Sequence, residues 1–197
     1  MEIQTLPSIV LQLLERDFAS VAVADCVPSL DRARLTKTRR EIQLLRNAAR
    51  VLDAGQIALV RAAREFSDTT ELGVWAAVST AVMEAADKPS PVTLIGELVT
   101  GPRTAVVRYP GGPQPRRIAA GDTGILDISV RVDGYWGDCN NAVVFGKEPT
   151  QEQKKYFKAT RDGFEAAVAT LRPGVRCCDT GRAHINISRG ALRAGFL

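Results

Sequence analysis

The spacing of apolar positions changes several times along the chain, and each change marks an element. Over residues 7–18, Ile9, Val10, Leu13 and Leu14 recur with helical spacing, and 20–24 then reads as a short β-rich run. Residues 27–36 hold Pro28, Ser29 and Asp31 and then turn basic, which reads as a connection with a boundary near Leu35. Thr38 followed by Glu41 is a capping-box signature, because the hydroxyl can accept from the backbone N–H three residues on while the glutamate reaches back. The helix it opens presents Ile42, Leu45, Ala49, Leu52, Ile57 and Val60 on one face and ends before Ser67. Thr70 starts a second helix over 71–86, closed by a breaker at 88–91.

Alternation then replaces the helical period. Residues 92–99 read as a strand, and 100–117, with Gly101, Pro102, Gly111, Gly112, Pro113 and Pro115, as a loop long enough to carry function. After a turn at Gly121-Asp122, strands over 125–132 and 135–145 are joined at Asp133-Gly134, a dipeptide suited to a two-residue hairpin turn. Pro149 and Thr150 open a helix through Thr170, Pro173-Gly174 stops it, and a last helix over 179–193 ends at Gly195. Helices and an antiparallel sheet together predict an α+β fold.

The 197 residues suffice for one domain with a buried core plus an appendage. A net charge of +4 is too mild to indicate a nucleic-acid binder. The basic cluster Arg32, Arg34, Lys37, Arg39 and Arg40 has no interleaved aromatic residue to stack bases, so a solvated face is expected. Gly111-Gly112 precedes Pro113 rather than a helix, which excludes a phosphate-cradling loop. Four cysteines, two of them adjacent, form neither a disulfide framework nor a zinc pattern. The first 24 residues lack a basic start before an apolar run, and no uncharged apolar stretch approaches about 18 residues, so a cytoplasmic protein without a membrane span is expected.

The chemistry concentrates on the hairpin. Asp127 lies on its first strand and Asp138 on its second, eleven residues apart about the Asp133-Gly134 turn, so they should meet near one rung, with a stagger of up to one residue. Opposed like charges are destabilising, and a hard divalent cation is the natural partner for such a pair. The plain alternative is that both end strands and face water. Asp133 is accounted for by turn chemistry. The single histidine, His184, is read as a helix-surface or partly buried residue, Cys139 as core packing, and Cys177-Cys178 as small residues at a turn-to-helix transition.

The series Gly121-Asp122, Asp127, Gly134-Tyr135, Asp138 and Gly146, then a helix opened by 149–153, resembles the metallopeptidases of the pita-bread fold. Residues 34–46 resemble the first helix of their catalytic domain and Leu171-Arg-Pro-Gly-Val175 a familiar turn. Within that group the resemblance is closest to the creatinase, Xaa-Pro aminopeptidase and Xaa-Pro dipeptidase (prolidase) branch. It implies an incomplete pita-bread fold, a curved antiparallel sheet covered by helices. Residues 1–36 would be the tail of an N-terminal domain with its linker, and 37–197 the first part of the catalytic domain.

The resemblance further implies two divalent metal ions (Mn, Co or Zn) held by two Asp, one His and two Glu. Of these, Asp127 would bind one metal and Asp138 would bridge both. The His belongs in a Gly-His-Gly motif downstream and the chain stops at Leu197 before it, so the isolated chain is expected to be inactive, with an open concave face and strand edge that favour association. A substrate-contacting histidine of the family falls near Arg108 or Tyr109, and Cys139-Asn140-Asn141-Ala142 stands where the family often has Thr-Arg-Thr. The expected activity is hydrolysis of peptide bonds before proline, in a complete protein that is a homodimer acting on a peptide or small molecule without nucleic acid or membrane. Two other classes fit the same residues: a non-catalytic pita-bread binding module, and a metal-free creatinase-like amidine hydrolase.

Overall fold

The computed structural model describes residues 6–22, 24–86, 91–105 and 112–193. The chain divides into two compact units, Met1–Asn47 and Ala48–Leu197, the division falling inside one helix. In the first unit, α1 (Ser8–Asp17) occupies the expected place and buries none of its residues. The β-rich run at 20–24 forms no strand among the described residues: Val21 N–H donates to Phe18 O at 2.8 Å in a turn, and Val23 lies outside the described set. A short apolar run without a strand to pair with has no reason to extend. The expected connection at 27–36 is instead α2 (Val27–Leu35). Pro28 sits in its first turn, where a missing N–H costs nothing, and Asp25 accepts from Val27 N–H at 3.1 Å, so the turn-forming residues start a helix rather than break one.

Helix α3 (Arg39–Arg64) opens on the expected capping box: Thr38 N–H donates to Glu41 Oε2 at 2.7 Å and Glu41 N–H to Thr38 Oγ1 at 3.3 Å. Beyond residue 47 its buried face is Ala48, Val51, Leu52, Gly55, Gln56, Leu59 and Ala63. That face differs from the expected one, of which Leu52 is kept while Ile57 is 60% exposed. Small residues explain the rotation. A Cβ on Gly55 would stand 2.9 Å from Val82 and 3.0 Å from Ile128, so α3 approaches both α4 (Glu71–Ala85) and the sheet too closely for large side chains.

The sheet has the order β1-β2-β3, all antiparallel, with β1 Val92–Thr100, β2 Thr123–Val132 and β3 Tyr135–Val144. Asp133 and Gly134 form the two-residue turn with φ of 50° and 85°, the left-handed pair such a turn requires. One face is core: Leu98, Leu126, Ile128, Val130 and Val132 pack with Val51, Leu59, Val78 and Val82 from the helices. The 100–117 segment begins as a 3-10 turn (Gly101–Ala105). Its ends are fixed by Glu71, which is fully buried: Glu71 accepts from Thr100 N–H and Thr100 Oγ1, both at 2.8 Å, from Gln114 N–H at 3.0 Å, and from Arg103. Arg103 also donates to Gly112 O at 3.0 Å.

Helix α5 (Gln151–Thr170) carries a second capping box, Thr150 with Gln153, and packs along α6 (Cys177–Arg193). The two helices approach closely at Gly163, where a Cβ would meet Ser188 Oγ at 2.2 Å and His184 Nδ1 at 3.1 Å. His184 is therefore a half-buried packing residue. Helix α6 begins two residues earlier than expected, which places Cys177 and Cys178 in its first turn, both exposed. Its expected stop at Gly195 and the breaker at 88–90 lie outside the described residues. On α5, Phe157, Phe164 and Val168 face solvent, as does Leu171 at its C-terminal cap.

Candidate active site

Alternation places the polar residues of the hairpin on the sheet face away from the core. The register orders that face into rungs read from β1 through β2 to β3. Glu97, Asp127 and Asn140 share one rung, Ile95, Ser129 and Asp138 the next, and Thr93, Arg131 and Trp136 the one nearest the turn. Asp127 and Asp138 are thus diagonal neighbours on one face, staggered by two residues rather than at most one. The difference matters, because a one-residue stagger would set them on opposite faces.

The two carboxylates differ in surroundings. Asp127 is half-buried, and Asp138 is exposed but oriented, its Oδ1 accepting from Ser129 Oγ at 2.7 Å. Glu97, opposite Asp127, is 6% exposed and adds a third carboxylate to the face. From the core side, Gln56 Nε2 donates to Cys139 O at 3.2 Å, holding the β3 backbone beside Asp138. Cys139 packs against the core as expected, and its thiol pKa is raised, first by burial and then by Asp53, Asp138 and Asp127. Toward the turn, Arg131 lies over the Trp136 ring, 5.4 Å from its centroid, and donates to Thr93 Oγ1 at 3.2 Å.

Two carboxylates on adjacent strands, one held by a hydroxyl, fit a hard divalent cation as part of its oxygen shell. No group of three or more His, Cys, Asp or Glu among the described residues is arranged to close such a shell. His184 takes its place on α6 against α5, and Arg108 and Tyr109 lie outside the described residues. Composition alone does not single out Glu97, Ser129, Arg131 and Trp136. For the last three the signal is register: once the two-residue turn is fixed, residues 127, 129 and 131 must share a face with 136, 138 and 140. A hollow of about 470 Å³ between α3 and α4 is lined by Ala58, Ala62, Gly73 and Ala77 and by none of these side chains.

A pair of helices laid on a three-stranded antiparallel sheet matches about half of the pita-bread fold structures it superposes on. The chain belongs to metallopeptidase family M24, whose model matches residues 43–196. It is 30% identical over 173 residues to a methionine aminopeptidase of Chlamydia muridarum, covering 82% of this chain and 55% of that protein. It is 26% identical over 143 residues to the Xaa-Pro dipeptidase of Pyrococcus furiosus, covering 72% and 39%. Among solved structures, the prolidase of Pyrococcus horikoshii OT3 superposes with a TM-score of 0.80 at 21% identity, over 98% of this chain and 52% of that one. The chain thus spans about half, or less, of the relatives it matches. No helix among the described residues is long and apolar enough to cross a membrane.

Proposed function

We propose that the chain is the N-terminal portion of a dinuclear metal-dependent peptidase of the Xaa-Pro type, hydrolysing peptide bonds before proline. In this reading residues 1–36 are the tail of a preceding domain and its linker, and 37–197 the first part of the catalytic domain. The observation that carries it is the diagonal pair Asp127 and Asp138 on the open face of the hairpin, with Ser129 donating to Asp138.

Asp127 and Asp138 would hold the metals, which when bound polarise a substrate carbonyl and acidify a water. The protein's own part is orientation. Ser129 occupies one lone pair of Asp138 Oδ1 and fixes the carboxylate's rotation, leaving Oδ2 for a second partner. Asn140, directly across from Asp127 on β3, brings an amide rather than a charge to that side of the rung, whereas Glu97 faces Asp127 from β1. The core-side bond from Gln56 keeps β3 from shifting register beneath the site. With two of the family's five ligand side chains, the 197 residues alone are expected to bind metal weakly and to turn over no Xaa-Pro dipeptide.

Calorimetric titration of the chain with Mn²⁺, Co²⁺ and Zn²⁺ tests this. Saturable binding abolished by Asp127→Asn together with Asp138→Asn supports it; binding unchanged in that double variant rejects it. A second reading, removal of an N-terminal methionine, is favoured by the 30% identity to the Chlamydia protein. A longer form that cleaves Met-Ala-Ser but not Ala-Pro would select it.

A further inference from the structure

Helix α4 carries no charged residue from Leu72 to Met83, a run of about three turns. Its core face is Val74, Val78 and Val82. The opposite face is uncharged as well. Leu72, Ala76, Ser79 and Met83 follow one another at i, i+4, i+7 and i+11, which lines them up as a single stripe. Leu72 is 45% and Met83 48% exposed, and Ala76 between them is exposed too. A helix on a protein surface ordinarily turns charged side chains to water, and one that is apolar all round is ordinarily covered on every side. Ser79 is no obstacle to covering this stripe, because its Oγ already donates to Trp75 O at 2.8 Å within the helix.

We propose that two copies of the chain meet on this face, α4 against α4 in the antiparallel sense, about a twofold axis between residues 77 and 78. A twofold interface needs a surface complementary to itself. The stripe is palindromic in size: turning the helix end for end exchanges Leu72 with Met83 and Ala76 with Ser79. Small residues at the centre let the two backbones approach to about 8 Å, while a Leu–Met pair closes each end. Charge fixes the sense. In a parallel pair the exposed Glu84 would stand beside its own copy. In the antiparallel pair the two Glu84 are about 20 Å apart, each near the positive end of the other helix. Glu71 at that end points into the core, where Arg103 pairs with it. Area sets the strength. A helix of 15 residues is about 22 Å long and about 10 Å across, so one helix pair covers well under the roughly 1,600 Å² of a standard interface, and a dimer with Kd on the order of 10–100 μM follows. The inference does not rest on the peptidase reading, since α4 packs on the core face of the sheet and Asp127 and Asp138 stand on the other.

Sedimentation equilibrium of the 197-residue chain between about 5 and 500 μM tests it. The average mass should climb from 21.3 kDa toward twice that value. Leu72→Lys and Met83→Glu should each weaken association at least about tenfold, because each buries a charge without a partner. Mixed one to one, or combined in one chain, the two substitutions should restore it, since position 72 of one copy then meets position 83 of the other as an ion pair. Phe164→Glu, on the exposed side of α5, should change nothing. Far-UV circular dichroism checks that the variants fold, and the rescue separates a lost interface from a lost fold. A monomer at every concentration, association that survives Leu72→Lys, or failure of both the mixture and the combined variant to recover overturns the proposal. Loss of association in Phe164→Glu moves the interface to α5 and overturns it as well. Binding to phosphatidylcholine vesicles that Leu72→Lys abolishes, in a chain that does not self-associate, gives the face to a lipid surface instead.

Discussion

Ser129 donates a hydrogen bond to Asp138 across the β2-β3 rung at 2.7 Å, and the two side chains stand on the same face as Asp127. Removing the hydroxyl leaves the strand pairing intact and frees the carboxylate to rotate. Ser129→Ala is expected to weaken Mn²⁺ binding by about tenfold, as loss of a ligand's supporting hydrogen bond usually does. It should shift the melting temperature little, because both groups are solvent-accessible. Calorimetric titration beside a thermal melt separates the two effects.

Glu71 is a buried charge with four donors around it. Glu71→Ala strands the Arg103 guanidinium and the amides of Thr100 and Gln114, and is expected to cost about 3–5 kcal/mol. Glu71→Gln keeps an acceptor for some of these donors and should cost less. Urea denaturation gives the difference, and limited proteolysis of the 101–117 segment should quicken in the alanine variant.

Gly96 has φ of 146°, and a Cβ there would stand 2.1 Å from Asp127 O. The side chain's absence lets β1 lie flat against β2 beside the candidate ligand. Gly96→Ala is expected to destabilise the chain by about 1–3 kcal/mol, through backbone strain and the forced separation of the strands. Chemical denaturation measures it, and loss of metal affinity in the surviving folded fraction would show that the displacement reaches Asp127.

Thiol chemistry should sort by burial. Cys177 and Cys178 are exposed, while Cys139 is packed on the core and its pKa is raised by that burial. The thiolate is the reactive form, so iodoacetamide at mildly alkaline pH should label the adjacent pair first and Cys139 last. The raised folded pKa makes ionisation of Cys139 harder in the folded chain than in the unfolded one. Stability from this group is therefore full below the unfolded thiol's pKa and is lost as pH rises through the folded value. Peptide mapping by mass spectrometry follows the order of labelling.

Local signals carry most of the architecture. Two capping boxes, the Asp133-Gly134 turn and the alternation of the hairpin each arise from residues within a few positions of one another, so Thr38-Glu41, Thr150-Gln153 and β2-β3 are all legible in the sequence. What escapes it depends on partners distant along the chain. The buried face of α3 is chosen by how closely Val82 and Ile128 approach Gly55, whereas hydrophobicity along the helix points to Ile57. Pro28 reads as a breaker in isolation because its place in the first turn of α2 is visible only once the helix exists. At the site, Asp127 and Asp138 are visible as a pair. Glu97 is not, since its meeting with Asp127 is set by the pairing of β1, about thirty residues away along the chain.

The two-residue turn also bears on how the site comes into being. Residues 123–144 close on themselves through Asp133 and Gly134, and hairpins of this kind form in about 1–10 μs. The aspartates and the hydroxyl that orients one of them are therefore neighbours through local closure alone, before α3 and α4 need dock. Assembly of the carboxylate pair is a fast, low-contact-order event, and a cation captured at that stage would bias the chain toward its native register instead of waiting for the finished fold.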